Sequence, residues 1–151
     1  MNTKLIDFNP QWMKMNHDKS YKYELRGEPE FIWYMTQVLI GEIDNSGFVG
    51  FFVNGYASQK EDFIYALNEL NCNQVINIIE KACNLFPENF FPSTQNEIEN
   101  YWNSTLCNDK HTYNVNKVID ECDKSFYEYE EIIEYNLVNY IIKNKLNEKY
   151  L

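Results

Sequence analysis

Positive charge is what this sequence most lacks: 13 lysines and arginines face 23 aspartates and glutamates, a formal charge of −10. A protein that grips nucleic-acid phosphates must supply cations to release their counterions, so the charge balance argues against direct nucleic-acid binding. Histidine is nearly as scarce. His17 and His111 lie far apart and form no i, i+4 ligand pair, which leaves no zinc motif. Five glycines give little material for a phosphate cradle, and the Gly-x-Ser-x-Gly, Gly-x-Gly-x-x-Gly and Walker patterns are absent. Cys72, Cys83, Cys107 and Cys122 show no Cys-x-x-Cys spacing and read as small reduced thiols rather than disulfides or metal ligands. No stretch approaches the roughly 18 to 20 apolar residues that cross a bilayer. Met1 to Pro10 also lacks the apolar run of a signal peptide. The expectation is a cytoplasmic protein with no cofactor, no metal site, no catalytic residues and no membrane contact.

What is present is material for a core. Apolar residues make up 44% of the chain and aromatic ones 17%, too many for an acidic disordered tail and enough to fill the core of one domain spanning residues 1–151. Helix signals recur. Glu28 to Ile43 opens with Pro29, suited to a first helical turn, and carries apolar residues around nearly its whole circumference, as a central helix does. Asn45-Ser46-Gly47 stops it, with Gly47 placed as a left-handed C-cap where any side chain adds about 1 kcal/mol of strain or more. The aromatic segment Phe48 to Val53 ends at Asn54-Gly55, where a short hairpin has its one opportunity.

Ser58-x-x-Glu61 reads as a capping box that opens a helix with Phe63, Ala66, Leu67 and Leu70 on one face. Asn71 to Phe86 repeats the pattern until Pro87 ends it. Pro87 to Ser93 reads as an ordered loop docking Phe90 and Phe91 on the core. Thr94-x-x-Glu97, a second capping box, opens a helix toward Leu106, and a polar linker runs from Asn108 to Thr112. From Val115 a step of three or four continues through Val118, Cys122, Phe126, Tyr129, Ile133, Leu137 and Ile141. One long helix or two satisfy it; two, breaking near Tyr129 to Glu131, are favoured because helices average about 11 to 12 residues. The fold class is therefore all-α, about seven helices with room for one short hairpin.

Two pairs of carboxylates, Glu61-Asp62 and Glu97-x-Glu99, fall in first turns, where negative charge complements the helix dipole. Capping does not explain Asp120, Glu121, Asp123, Glu128, Glu130, Glu131 and Glu134, opposed only by Lys124. On a helix, positions three and four apart are separated by roughly 4.5 and 6 Å along the axis. Phosphates along one DNA strand are about 6 to 7 Å apart through space. Such a ladder can approximate one strand's charge spacing. The competing reading is a solvated face opposite the core stripe, and like charges one turn apart cost only a few tenths of a kcal/mol.

From Glu42 to Gly55 the sequence resembles the bacterial DNA-mimic-protein-like domain family, whose pattern is an Asn-Gly-Gly-Phe turn followed by a glutamine, aromatics and an asparagine. Asn45, Gly47, Phe48, Phe52 and Asn54 fit that pattern, while Ser46 replaces a glycine and Gly50 stands where glutamine is usual. The likeness extends over about residues 28–144. It implies an all-α fold, no cofactor, and an acidic surface that occupies the DNA-binding face of a transcription factor or nucleoid protein, with a homodimer among the forms such a protein takes. The motif residues themselves read as structural, so the acidic face would carry the function.

Three functions compete on the sequence. The first is a non-enzymatic regulator that binds a basic DNA-binding protein by mimicking DNA charge. The second is an immunity-like inhibitor of a basic nuclease or toxin. The third, of another class, is a small-molecule binder or enzyme with an aromatic cleft around Trp33, Phe48, Tyr56 and Trp102.

Overall fold

The computed structural model of the chain describes residues 3–19, 26–87, 94–105 and 109–151. Among these, all regular structure is helical: α1 (Asn9–Asp18), α2 (Pro29–Val53), α3 (Lys60–Glu69), α4 (Asn73–Cys83), α5 (Gln95–Thr105), α6 (Asp109–Lys143) and the single turn α7 (Leu146–Lys149). Short 3-10 turns at Leu5–Phe8 and Tyr56–Gln59 precede α1 and α3. The all-α expectation holds. No hairpin forms at Asn54-Gly55 among the described residues. Phe48 to Val53 is helical, and Gly55 sits at φ 81°, turning the chain into the 3-10 turn that leads to α3.

α2 is the central element, packed against α3 and α6. Phe31, Ile32, Trp33, Met35, Leu39, Ile40 and Ile43 are all buried, as an apolar circumference requires. Its helix is interrupted at Gly47, where φ is 63° and ψ −168°. That is the extended, essentially glycine-only region rather than the left-handed helical one, so the turn kinks α2 instead of ending it. Beyond the kink a second helical segment carries Phe48, Phe51 and Phe52 into the core. Phe48 meets Phe126 edge-on with ring centres 6.2 Å apart, and Phe52 meets Phe86 at 4.6 Å. Each such ring removed from water contributes about 1.5 to 3 kcal/mol.

α6 corrects the expectation of two helices. It runs unbroken through Tyr129 to Glu131, about 52 Å at 1.5 Å per residue. The physical reason is in the residues: Asp109 to Lys143 contains no glycine and no proline, and an average helix length stops nothing without a breaker. The polar stretch from Asp109 to Thr112 is its first turn rather than a linker; Asn108 lies outside the described residues. Of the two capping boxes, Thr94 does cap, its Oγ1 accepting the Glu97 N–H at 3.1 Å. The one at Ser58 does not form. There the Ser58 hydroxyl donates to the Gly55 carbonyl at 2.8 Å, closing the 3-10 turn, and α3 starts later, at Lys60.

Cys72 and Cys122 are buried and Cys83 half-buried, all free thiols, with burial pushing Cys83 up to about 11. Cys107 and the loop with Phe90 and Phe91 lie outside the described residues. At the far end of α2, Glu30 is buried at 1% exposure, accepting hydrogen bonds from Lys149 Nζ (2.6 Å) and the Tyr150 hydroxyl (2.7 Å). This pairing ties the C-terminal turn to the central helix. No described helix is long and apolar enough to cross a membrane.

Candidate functional site

The seven carboxylates expected between Asp120 and Glu134 all lie on α6, and its helical geometry sorts them. Val115, Ile119, Cys122, Phe126, Ile133, Leu137 and Ile141 form the buried stripe. At 3.6 residues per turn, Glu128 and Glu131 then point most directly away from the core. Glu121 flanks them on one side and Asp120 on the other, with Asp123, Glu130 and Glu134 beyond Asp120 and nearer the core. Accordingly Asp120, Glu121, Glu128 and Glu131 are exposed, whereas Asp123, Glu130 and Glu134 are half-buried. Glu121 lies 3.6 Å from Lys81 of α4, an exposed pair of small energetic value that offsets part of the charge on that side.

The half-buried group meets the kink of α2. Asp123 Oδ1 accepts the Phe48 N–H at 2.8 Å, capping the second helical segment of α2 across 75 residues of sequence. Gly47 is bare for the same reason: a Cβ there would sit 2.8 Å from Asp123 Oδ2. Burial raises Asp123 above the ordinary carboxylate range, the Phe48 N–H pulling it back and Asp120 adding to the rise. One turn earlier on α2, Asp44 brings an eighth carboxylate to the face and hydrogen-bonds Glu130. Burial, that hydrogen bond and the charges of Asp44 and Glu134 push Glu130 up to about 8. Glu134 is raised by burial, Asp44 and Glu131, with Lys4 opposing. Tyr127 closes the junction by donating to the Ile43 carbonyl at 3.1 Å.

Sequence reasoning missed Asp44 and Tyr127. Asp44 precedes the Asn45-Ser46-Gly47 turn in a different helix, and only the packing of α2 on α6 brings it beside Glu130. The remaining motif residues surround the same kink. Phe48 and Phe52 are core, Asn45 is exposed, and Asn54 ends α2, its N–H bonding the Gly50 carbonyl and its Nδ2 donating to Glu42 Oε1 at 2.7 Å. Ser46 and Gly50 turn out to face each other: a Cβ on Gly50 would lie 2.0 Å from Ser46 Cβ. Ser46 thus leaves no room for a side chain at position 50.

Among the described residues the aromatic side chains expected to frame a cleft do not do so. Trp33 and Phe48 are 0% exposed and belong to the core, and half-buried Tyr56 stacks on Phe51 at 6.4 Å; the Trp102 side chain lies outside the described residues. His17 is exposed beside Asp18, and the His111 side chain lies outside the described residues. Among the described residues no group of three or more metal-binding side chains gathers. The face can therefore present a dense negative field, within which Glu130 is held toward its protonated form.

No curated protein and no solved structure matches the chain. A family model described as DMP19-like protein matches residues 25–144, which include all of α2 with its kink, Asp44 and the seven carboxylates of α6, so the chain belongs to the DMP19-like (DNA mimic protein 19) family.

Proposed function

We propose that the chain is a non-enzymatic regulator that binds a basic DNA-binding protein by offering it the acidic face of α6 in place of DNA. The observation that carries this reading is the continuity of α6. From Asp120 to Glu134 the helix advances about 21 Å, the axial length over which one DNA strand places about six phosphates. Seven carboxylates and one lysine occupy that stretch, joined by Asp44 from α2. An unbroken helix holds them in fixed register, where two helices meeting at an angle would not. The family supports a DNA mimic in general; a transcription factor or nucleoid protein is the finer partner we propose, on the surface made by Asp120, Glu121, Asp123, Glu128, Glu130, Glu131 and Glu134. Asp123 and Glu130 contribute mainly by building the face, since both are half-buried and bonded to α2.

Attraction between a −10 protein and a cationic surface speeds encounter and makes it salt-sensitive. The test is competition. A partner captured by the immobilised chain at low salt is labelled and bound to its own DNA, and the chain is titrated in. The reading expects the DNA to be displaced, and the direct binding of partner to chain to weaken as salt rises. A ternary complex of partner, DNA and chain, or capture indifferent to salt, would refute it.

A further inference from the structure

The outer side of α6 is not purely charged. Tyr135 is 67% exposed and Ile142 45% exposed, and between them Val138, at 5%, is a core residue reaching the surface only as the floor; the three stand at the i, i+3, i+7 spacing that places side chains on one helical face. Together with Leu5 from the first 3-10 turn they form the apolar part of a groove of about 550 Å³, whose lining Thr3, Asn139, Glu131 and Glu134 complete. Lys4 is also in the lining, where its charge acts on Glu134. A DNA strand has no counterpart for this apolar floor.

We propose that this groove seats the apolar side chains of a basic amphipathic helix from the protein partner, while Glu131 and Glu134 pair with the lysines or arginines beside them. The proposal rests on the function proposed above and deepens it by naming the kind of partner element. Charge complementarity picks the occupant: an acidic protein with a carboxylate rim repels an acidic helix, and a purely apolar one would leave the rim carboxylates unpaired. A helix laid in a groove anchors through residues three, four and seven apart, matching the floor. Binding then has two parts. The carboxylate part weakens as salt screens it; the apolar part does not, and it favours this protein over DNA for the same partner at higher salt.

Two helical peptides of equal positive charge test this with the full chain, one built of lysine and leucine on opposite faces, the other with glutamine in place of leucine. The leucine peptide should bind about tenfold tighter, the worth of burying a single leucine side chain, and should keep that advantage at high salt. Its amide shifts should centre on Tyr135, Val138 and Ile142. The double variant Tyr135→Ser, Ile142→Ser should lose the advantage while binding the glutamine peptide unchanged; both side chains are exposed enough to be replaced without unfolding the chain. Equal binding of the two peptides, with shifts confined to the acidic residues, would overturn the groove and leave the acidic face standing. Binding of neither would overturn both. Tight leucine binding elsewhere, or self-association of the free chain that the double variant abolishes, would also overturn the proposal, the latter by giving the groove to a second copy.

Discussion

Gly47→Ala perturbs the joint on which the acidic face is built. Its φ of 63° and ψ of −168° lie in a region that costs a residue with a side chain about 1 to 3 kcal/mol. The new Cβ would stand 2.8 Å from Asp123 Oδ2, so that carboxylate must rotate away and release the Phe48 N–H. A hydrogen bond to a charged group is worth about 1.5 to 3 kcal/mol, less here because Asp123 is half-exposed. Alanine recovers about 0.4 to 1 kcal/mol by restricting the unfolded chain. The net expectation is a loss of about 2 to 4 kcal/mol, or roughly 5 to 12 °C in melting temperature for a chain of this size. Urea unfolding measures it, with the slope unchanged. Asp123→Ala alone should cost about 1 to 2 kcal/mol, and the two together should cost about 1 kcal/mol less than their sum, because each destroys the same bond. A Gly47→Ala protein with an unshifted midpoint, or strict additivity with Asp123→Ala, would refute the account of the kink.

Three other outcomes follow from the same geometry. Gly50→Ala should destabilise by about 1 to 3 kcal/mol through overlap with Ser46, and adding Ser46→Gly should restore stability to within about 1 kcal/mol of the parent in the same unfolding assay. Burial, the largest influence on Glu30, would raise its carboxyl, but the Lys149 and Tyr150 hydrogen bonds, its own backbone and the Lys149 charge bring it below the ordinary range; its stabilisation is therefore present above about pH 4.5 and lost as pH falls through the folded value. Glu30→Gln should lower the neutral-pH midpoint and flatten the acid limb of a stability–pH curve. Glu130 has the opposite sign: raised from 4.5 to about 8, it binds a proton in the folded state that the unfolded state has released, so stability falls between about pH 4.5 and 8. Glu130→Gln should remove that slope and, after discounting for solvent screening of a half-exposed group, gain about 1 to 2 kcal/mol above pH 8; a variant that is less stable there would contradict the raised Glu130 carboxyl.

Much of the fold is legible where local chemistry is decisive. Pro29, the apolar circumference of α2 and Thr94 act through their immediate neighbours, and the structure puts each to the use its chemistry implies; Gly47 does take a positive φ, but as a kink within α2 rather than as the left-handed C-cap expected. Legibility fails where the deciding partner is distant. Ser58 matches a capping box in pattern, but Gly55 turns the chain earlier and takes its hydroxyl. The continuity of α6 was open to view in the lack of glycine and proline, yet an average length argued the other way. α1 carries little periodicity, with Trp12 packing on Trp33 and Tyr34 (ring centres 5.9 and 6.0 Å) and Met15 fully buried. For the candidate site, the density of carboxylates on α6 is a one-dimensional signal. That Asp123 holds the α2 kink, and that Asp44 joins Glu130, depends on helices far apart in sequence and has no local signature.

The central claim, that the carboxylates of α6 are the partner surface, is tested most directly by the triple variant Glu128→Gln, Glu131→Gln, Glu134→Gln against an identified DNA-binding partner. Glu128 and Glu131 are exposed, where substitutions change stability by less than about 0.5 kcal/mol each, and burial already disfavours the charged form of half-buried Glu134, so the melting temperature should not fall by more than a few degrees. Association measured over a range of salt should show a slower on-rate, a weaker affinity at low salt and a shallower dependence on ionic strength. An unchanged affinity with an unchanged salt slope would mean that this face is only solvated, and that the partner is held elsewhere.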